Sequence, residues 1–215
     1  MQIWDCQTAE KRSAAIAQAL AAVKRGEVIC LPTDTVYGIG ADPFNATAVN
    51  ALLTAKSRTR QKPSPVLVAN IEQALELVAD FPDPARALAA AFWPGALTMI
   101  FPARPTLGWD LGETHGTVAL RMPNHPFTLA LLEKTGPLAV TSANKSGNPP
   151  ALRVETAQEQ LGEAISLYLD GGKSPGGTAS TIVSFSDTAP QLHILRAGAI
   201  PAAALAEVTQ MEVAE

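Results

Sequence analysis

The chain has 215 residues, of which 47% are hydrophobic and 17% are charged, and its formal net charge is −4. This composition is typical of a folded globular protein and excludes an intrinsically disordered chain. The negative balance disfavours functions that depend on broad electrostatic attraction to nucleic acid or to an anionic membrane. Apolar stretches are interrupted before the roughly 20 residues that a membrane-spanning helix needs, so we expect no membrane span.

The N-terminal segment and the cysteines indicate the cellular compartment. "MQIWDCQTAEKR" lacks the basic start and the apolar run of a secretory signal. The chain has two cysteines, Cys6 and Cys30, and such sparse use of cysteine favours the reducing cytoplasm. Cys30 lies in the apolar run "EVICLP", so we expect a buried small hydrophobe rather than a nucleophile.

The first predicted elements are a helix and a strand. The helix begins after Thr8, a candidate N-cap, and ends before Gly26. The strand covers about residues 28–31. The inward face of the helix is expected to carry Ile16, Leu20 and Val23.

A second helix is predicted from about Asn45 to Lys56, and its end delivers Lys56 and Arg58 to the following loop. Further strands are predicted at "PVLVA", "ALTMIF", "TVALR", "PLAVTS", "ISLYL", "STIVSF" and "LHIL". Further helices are predicted near 71–79, 84–92, 126–135, 154–160 and 201–209. Because two connections are too short for a parallel crossover, the interleaved pattern predicts a single α/β domain with a mixed sheet.

Familiar nucleotide, metal and hydrolase motifs are not supported. "GGKS" at 171–174 resembles the end of a P-loop, but Leu167 stands where the first glycine is required. "GIGADP" has Pro43 where a dinucleotide-binding fingerprint needs its third glycine. The three histidines are far apart in sequence and lack neighbours at ligand spacing, so we predict no protein-built metal site. Ser142 lacks the G-x-S-x-G elbow of a hydrolase.

A cluster of basic residues stands out in this acidic chain. No acidic residue occurs between Asp42 and Glu72. The cations of this interval lie in "KSRTRQK" and are Lys56, Arg58, Arg60 and Lys62. A solvated helix end, where cations complement the helix dipole, explains the cluster as well as an anion-binding site does.

Six short polar loops follow predicted strands or helices: "PTDTVYG", "KSRTRQKP", "TVALRMPNH", "TSANKSGNPP", "GGTASTIV" and "ILRAG". Arg58, Arg121 and Arg196 offer forked cations to phosphate or carboxylate groups, and the loops add hydroxyl and backbone donors. Each loop alone is explained equally well by a turn. Together they predict an enzyme that holds a polyanionic nucleotide and a small carboxylated substrate.

The ordered series "PTDTVYGIG", "KSRTRQKP", "FWPGALT", "ALRMPNHP", "TSANKSG" and "STIV…ILRAG" resembles the YrdC-like threonylcarbamoyl-AMP synthase family over about residues 13–200. The resemblance implies one domain over residues 1–215, with a twisted mixed parallel and antiparallel sheet flanked by helices around a large concave cavity. It also implies the short form of the family, without a further C-terminal domain, and favours a functional role for the basic cluster.

The family's activity follows from this resemblance. L-Threonine, bicarbonate and ATP would give threonylcarbamoyl-AMP and pyrophosphate for the threonylcarbamoyladenosine (t6A) modification of tRNA. Mg²⁺ would be bound through the ATP phosphates. Proteins of tRNA modification would accept the adenylate, and a weak direct contact with tRNA is compatible with a basic cavity.

Site residues are carried over by matching motifs. ATP is expected to contact Arg58, Lys62, Thr117, Ser142, Asn144 and Arg196. Threonine is expected to contact Thr35, Arg121 and Ser180. Lys56 and Arg58 are the expected catalytic cations, and we expect their loss to abolish turnover with little effect on thermal stability. Leu67 and Val140 depart from polar residues of some relatives, whereas Asp34 and Tyr37 are explained equally by loop shaping and by packing.

Two alternatives belong to other functional classes. A double-stranded RNA-binding module would use the cationic cavity on a polyanion, and its affinity would fall steeply with salt. A carbamoyltransferase that uses carbamoyl phosphate shares the YrdC-like domain. Dependence on substrate separates these alternatives from the synthase.

Overall fold

The computed structural model describes residues 2–186 and 191–214. Its strands are β1 (Gln2–Asp5), β2 (Ile29–Leu31), β3 (Gly38–Ala41), β4 (Val66–Leu67), β5 (Leu97–Pro102), β6 (Thr117–Arg121), β7 (Leu138–Ser142), β8 (Leu167–Asp170), β9 (Thr181–Phe185), β10 (Gln191–Arg196) and β11 (Glu212–Ala214). Its helices are α1 (Ala9–Lys24), α2 (Ala46–Ala55), α3 (Ile71–Leu77), α4 (Asp83–Phe92), α5 (Pro126–Thr135), α6 (Val154–Leu161) and α7 (Ala202–Thr209), with 3₁₀ turns at Pro105–Leu107 and Gly162–Ala164.

The strands form one sheet in the order β1-β8-β2-β3-β7-β4-β6-β5-β9-β10-β11. The neighbours β1/β8, β2/β8, β4/β6, β5/β9 and β10/β11 are parallel. The neighbours β2/β3, β3/β7, β4/β7, β5/β6 and β9/β10 are antiparallel. The predicted α/β class with a mixed sheet is therefore confirmed.

Helices cover both faces of the sheet, as the alternation of side chains along β2 shows. Ile29 and Leu31 pack in the core that contains α1 and α5. Cys30, between them, packs in the opposite core, which contains buried residues of α2 and α6. The prediction that Cys30 is a buried small hydrophobe is confirmed, because its side chain is fully enclosed.

The inward face of α1 differs from the predicted one. Ala15, Ala19 and Ala22 are buried together with Val23, whereas Ile16 and Leu20 are only half-buried. Thr8 occupies the N-cap position, but its side chain makes no capping hydrogen bond. The small alanines allow α1 to approach its neighbours closely, so residue size and not hydrophobicity alone orients this helix.

Strand β3 was not among the predicted strands, and only its first residue, Gly38, belonged to the predicted loop "PTDTVYG". In the antiparallel register Gly38 faces Ser142 and Gly40 faces Val140. A Cβ atom at Gly38 would lie 2.6 Å from Cγ1 of Val140, so the valine side chain takes the space that a larger residue would need. Glycine therefore marks close packing between strands here rather than a turn.

The segments that resembled nucleotide motifs have other surroundings. "GGKS" at 171–174 is followed by a loop and by β9 rather than by the helix that a P-loop requires. Gly38 and Gly40 of "GIGADP" lie inside β3. Within the described part of the chain, no helix is long and apolar enough to cross a membrane.

Candidate functional site

The predicted polar loops come together around three adjoining cavities. The inner cavity includes Thr35, Leu67, Thr98, Arg121, Val140 and Ser180. The cation cavity includes Lys56, Arg58, Lys62, Ser142, Asn144 and Gly147. The outer cavity includes Ser64, Ile100, Leu111, Thr117, Ala119 and Ile182. Ser142 also lines the inner cavity, Arg58 also lines the outer cavity, and Arg196 lines both the inner and the outer cavities.

Arg121, at the end of β6, is a buried cation of the inner cavity. Its Nε donates to the carbonyl of Gly95 at 2.9 Å, and its Nη1 donates to Thr35 Oγ1 at 3.0 Å. Its Nη2 forms an ion pair with Asp34 Oδ1 at 2.6 Å. Burial lowers the pKa of Arg121, and Asp34 opposes this shift. A guanidinium has five N–H donors, so two remain after these three bonds to the described residues.

The "PTDT" loop places Thr35 beside Arg121. Thr33 Oγ1 donates to the carbonyl of Val36 at 2.6 Å and accepts from the backbone N–H of Thr35 at 3.2 Å. Both threonines are buried. Sequence reasoning missed Thr33, although a threonine two residues before a site residue is a known signal for such a local turn.

Asp34 and Tyr37 have different roles in this loop. Asp34 pairs with Arg121, so it belongs to the cation arrangement of the site. Tyr37 is fully buried; its hydroxyl donates to the carbonyl of Gly172 at 2.6 Å and accepts from the N–H of Gly171 at 3.1 Å. The packing interpretation therefore holds for Tyr37, which ties "PTDT" to the "GGKS" segment.

Lys56 lies in the cation cavity with an exposed fraction of only 2%. Its Nζ lies 2.6 Å from the carbonyl oxygen of Ser142, 2.5 Å from that of Asn144, and 2.7 Å from Asn144 Oδ1. Burial, followed by the charge of Arg58, lowers the pKa of Lys56 to about 8. These oxygens take the three protons of the ammonium group, so Lys56 holds the "TSAN" loop in place.

Asn144 is also committed to protein contacts. Its Oδ1 accepts from Lys56 and from Ser142 Oγ at 2.6 Å. Its Nδ2 donates to the carbonyls of Lys145 and Asn148 at 2.9 and 2.7 Å. The two donors and two acceptor positions of the amide are thus all used within the protein, and the predicted contact of Asn144 with ATP stays a prediction.

Arg58 and Lys62 are the cations that remain directed at the cation cavity. Arg58 is half-buried, and its Nη1 donates to Thr141 Oγ1 at 3.1 Å. Burial lowers the pKa of Arg58. Lys62 is exposed at the rim of the same cavity. Both positions agree with the predicted contacts to ATP, which stay predictions.

The turn after α2 determines the direction in which the chain, and with it Arg58, leaves the helix. Ser57 adopts a left-handed conformation with φ of +50°. The N–H of Arg58 bonds to the carbonyl of Leu53, and the N–H of Ser57 bonds to that of Thr54, both at 2.9 Å. These two bonds form a Schellman motif, which ends the helix and turns the chain. A serine therefore fills a position that glycine usually occupies.

Exposed Arg196 and buried Ser180 form a second polar group, between the inner and outer cavities. Arg196 Nε and Nη2 donate to the carbonyl of Ser180 at 3.1 and 2.7 Å. Arg196 Nη2 also donates to Ser180 Oγ at 2.9 Å. Burial lowers the pKa of Arg196, and the positive charges of Arg121 and Arg58 lower it further. Arg121 and Arg58 therefore lie close enough to act electrostatically on Arg196, as expected for a common anion site.

The apolar part of the inner cavity includes the two residues that depart from the family pattern. Leu67 and Val140 are both buried and both line this cavity. Thr117 lies in the outer cavity, and its hydroxyl donates to the carbonyl of Thr114 at 2.7 Å. Within residues 2–186 and 191–214, no group of three or more His, Cys, Asp or Glu side chains is arranged to hold a metal ion.

Comparison with known sequences assigns this arrangement to a family. The model of the Sua5/YciO/YrdC family, described as "Telomere recombination", matches residues 21–198. A protein from Mycobacterium tuberculosis is 47% identical over 213 residues, which cover 99% of this chain and 97% of that protein. The threonylcarbamoyl-AMP synthase of Bacillus subtilis is 42% identical over 187 residues, which cover 86% of this chain and 54% of that protein.

The fold is similar to that of a solved structure as well. The crystal structure of Pyrococcus abyssi Sua5 in complex with L-threonine matches with a TM-score of 0.88 and 30% sequence identity, over 99% of this chain and 62% of that chain. The span matched by the family model contains every predicted site residue from Thr35 to Arg196. The chain therefore belongs to the Sua5/YciO/YrdC family.

Proposed function

We propose that this protein is an L-threonylcarbamoyladenylate synthase, which forms threonylcarbamoyl-AMP and pyrophosphate from L-threonine, bicarbonate and MgATP. The observation that carries the proposal is that the three cavities share lining residues. Arg58, Ser142 and Arg196 each line two of the three cavities. An amino acid in one cavity can therefore reach the phosphorus atom that links the nucleoside and the pyrophosphate part of a nucleotide bound in the other two. The same activity is named for the relative from B. subtilis.

The inner cavity is proposed to bind L-threonine. The two remaining N–H donors of Arg121 would bind the substrate carboxylate, because a guanidinium fork matches carboxylate geometry. Thr35 and Ser180 add hydroxyl groups at the same cavity. Leu67 and Val140 offer an apolar surface that suits the methyl group of threonine.

The other two cavities are proposed to bind MgATP. Arg58 and Lys62 would neutralise the triphosphate, and the backbone of the loop after Ser142 would supply N–H donors. The nucleoside would lie in the outer cavity, where Ile100 and Ile182 are apolar and Thr117 is polar. The magnesium ion would arrive with the phosphates as part of the substrate.

The proposed chemistry has two steps. The neutral amine of threonine combines with bicarbonate to give a carbamate and water. A carbamate oxygen then attacks the α-phosphorus, the bond from this phosphorus to the bridging oxygen breaks, and pyrophosphate leaves. Arg58 would stabilise the charge that builds on the leaving group, and Arg121 and Arg196 would hold the reacting parts in line. The substrate brings its own nucleophile, so no covalent enzyme intermediate is needed.

The reactivity of the product indicates which reaction must follow this one. A carbamate–phosphate mixed anhydride is reactive toward amines and water, so proteins that transfer the threonylcarbamoyl group to tRNA must accept it soon after release. The synthase would thus supply the activated group for the t6A modification.

Pyrophosphate release tests the proposal. Wild-type protein is incubated with MgATP, L-threonine and bicarbonate, and each component is omitted in turn; we expect release only from the complete mixture. Arg58→Ala serves as a control that keeps the fold but loses the phosphate contact. Release that requires carbamoyl phosphate would favour the carbamoyltransferase instead. Salt-sensitive binding of double-stranded RNA without any pyrophosphate release would favour the RNA-binding module.

A further inference from the structure

We propose that Thr98, on strand β5, is a positioning residue for the amino-acid substrate, acting through the hydroxyl group of Ser180. This inference rests on the proposed function and adds a residue to it. Thr98 is buried, with 1% of its surface exposed, and lines the inner cavity. Its Oγ1 lies 2.8 Å from Ser180 Oγ. Thr98 lies in β5, and Ser180 immediately precedes β9, the parallel neighbour of β5 in the sheet.

Arg196 takes up part of the hydrogen-bonding capacity of Ser180. Arginine only donates, so the bond from Arg196 Nη2 to Ser180 Oγ uses one acceptor position of the serine hydroxyl. The two hydroxyl groups of Thr98 and Ser180 carry two protons, and the bond between them uses one. Whichever oxygen donates, one O–H remains available in the inner cavity. An anionic substrate group needs such a donor.

Thr98 determines which way this donor points. If Thr98 were apolar, the Ser180 hydroxyl would keep only the hydrogen bond from Arg196, and it would rotate freely. A freely rotating hydroxyl loses conformational freedom when it binds a ligand, whereas a fixed one does not. The substitution should weaken mainly the binding of the amino acid. Binding of MgATP should change less, because Arg196 is anchored separately by two hydrogen bonds to the Ser180 carbonyl.

The decisive comparison is between two substitutions at one position. Thr98→Val keeps the shape of the side chain and removes the hydroxyl, whereas Thr98→Ser keeps the hydroxyl and removes a methyl group. We expect Thr98→Val to raise the dissociation constant of L-threonine about three- to tenfold, the effect of one neutral hydrogen bond. The constant for MgATP should change less than about twofold. Thr98→Ser should bind threonine nearly as wild type does.

A double-mutant cycle separates positioning from a general loss of packing. In a Ser180→Ala background, Thr98→Val should add less than about twofold to the threonine constant, because the group through which it acts is absent. Thr135→Val is the matched control, since Thr135 is a half-buried threonine whose hydroxyl bonds to the carbonyl of Leu131 at 3.1 Å, away from all three cavities. Thermal unfolding of every variant verifies that the fold is retained.

Isothermal titration calorimetry with L-threonine and with MgATP gives the required constants. The assignment is overturned if Thr98→Val binds threonine as wild type does, if Thr98→Ser is impaired as much as Thr98→Val, or if the effects of Thr98→Val and Ser180→Ala are additive. Should Thr98→Val fail to fold, Thr98→Ala, which also removes the hydroxyl, replaces it in the comparison with Thr98→Ser and in the cycle with Ser180→Ala. Wild-type protein that binds no threonine would instead contradict the proposed function.

Discussion

Arg121 donates hydrogen bonds to Gly95, Thr35 and Asp34, and this geometry leads to a prediction about which of the two substrates it binds. Arg121→Lys keeps the positive charge but loses the planar fork and most of these bonds. We expect the dissociation constant of L-threonine to rise roughly tenfold or more, and that of MgATP to change little. Calorimetry with each substrate measures both. Weakened ATP binding with unchanged threonine binding would show that the two subsites are reversed.

Lys56 contributes to the fold as well as to the site. Its ammonium is buried and bonds to carbonyl and amide oxygens of the loop that carries Ser142 and Asn144. Lys56→Ala would remove the charged donor that these three oxygens share, so we expect a loss of about 1.5–3 kcal/mol in the free energy of unfolding together with lost turnover. Urea unfolding measures the first effect. This replaces the sequence-based expectation of an unchanged thermal transition.

Arg58→Ala provides the contrast to Lys56→Ala. Arg58 is half-buried and has one hydrogen bond to a side chain, that of Thr141. Its removal should abolish pyrophosphate release and leave the unfolding midpoint nearly unchanged. Equal losses of stability in the two variants would contradict the separate roles that the contacts indicate.

His125 gives a prediction about pH. Burial lowers the pKa of His125 from its ordinary value of 6.5, although the nearby Asp34 acts in the opposite direction. The unfolded chain therefore binds a proton near pH 6.5 that the folded chain does not bind, so stability falls as the pH drops below this value. His125→Gln should reduce this fall between pH 7 and 5 in denaturant unfolding. An identical pH profile in the variant would refute the contribution of His125.

At the level of elements, the connection after β10 depends on a close backbone approach. A Cβ atom at Gly198 would lie 2.4 Å from the backbone nitrogen of Thr181 and 2.5 Å from the carbonyl oxygen of Ala179. Gly198→Ala should therefore destabilise the protein and displace Arg196 from Ser180, with weaker binding of both substrates. Gly108→Ala, which meets no atom within 4 Å but has a φ of +64°, should cost only about 1–2 kcal/mol of stability and leave binding intact.

The local pattern predicted most helices and strands, because apolar periodicity and helix ends are encoded within a few residues. Helix α5 and strand β6 lie where "PFTLALLEKT" and "TVALR" predicted them. Strands β1 and β11 were missed, since short strands form by pairing with distant partners, β8 and β10. Strand β3 was missed because the packing of Val140 against its glycines is a contact between segments far apart in sequence.

In the candidate site as well, local motifs predicted some residues, whereas contacts between distant segments could not be predicted. Motifs identified the arginines that converge on the three cavities, because their side chains are carried by loops of recognisable composition. The pairing of Asp34 with Arg121 and the enclosure of Lys56 depend on contacts across more than 80 positions of the chain, which no local pattern encodes. The same holds for Thr98 and Ser180, which are 82 positions apart.

For the whole molecule, the central property is an acidic protein with a cationic interior. The net charge of −4 coexists with Arg58, Arg121 and Arg196, which line adjoining cavities, and the positive charges of Arg121 and Arg58 help to lower the pKa of Arg196. Affinity for a polyanion then resides in the cavities rather than on the outer surface. Partly buried charges are screened by salt less than exposed ones, so MgATP binding should be less salt-sensitive than surface binding of nucleic acid.

Direct identification of the product tests the central claim. Wild-type protein is incubated with ¹³C-bicarbonate, ¹⁵N-threonine and MgATP, and the nucleotide products are analysed by mass spectrometry immediately after quenching. We predict an adenylate that carries one ¹³C and one ¹⁵N atom, with an equal amount of pyrophosphate. An adenylate that lacks the bicarbonate carbon, or labelled bicarbonate that never enters a nucleotide, would contradict the proposed synthase activity.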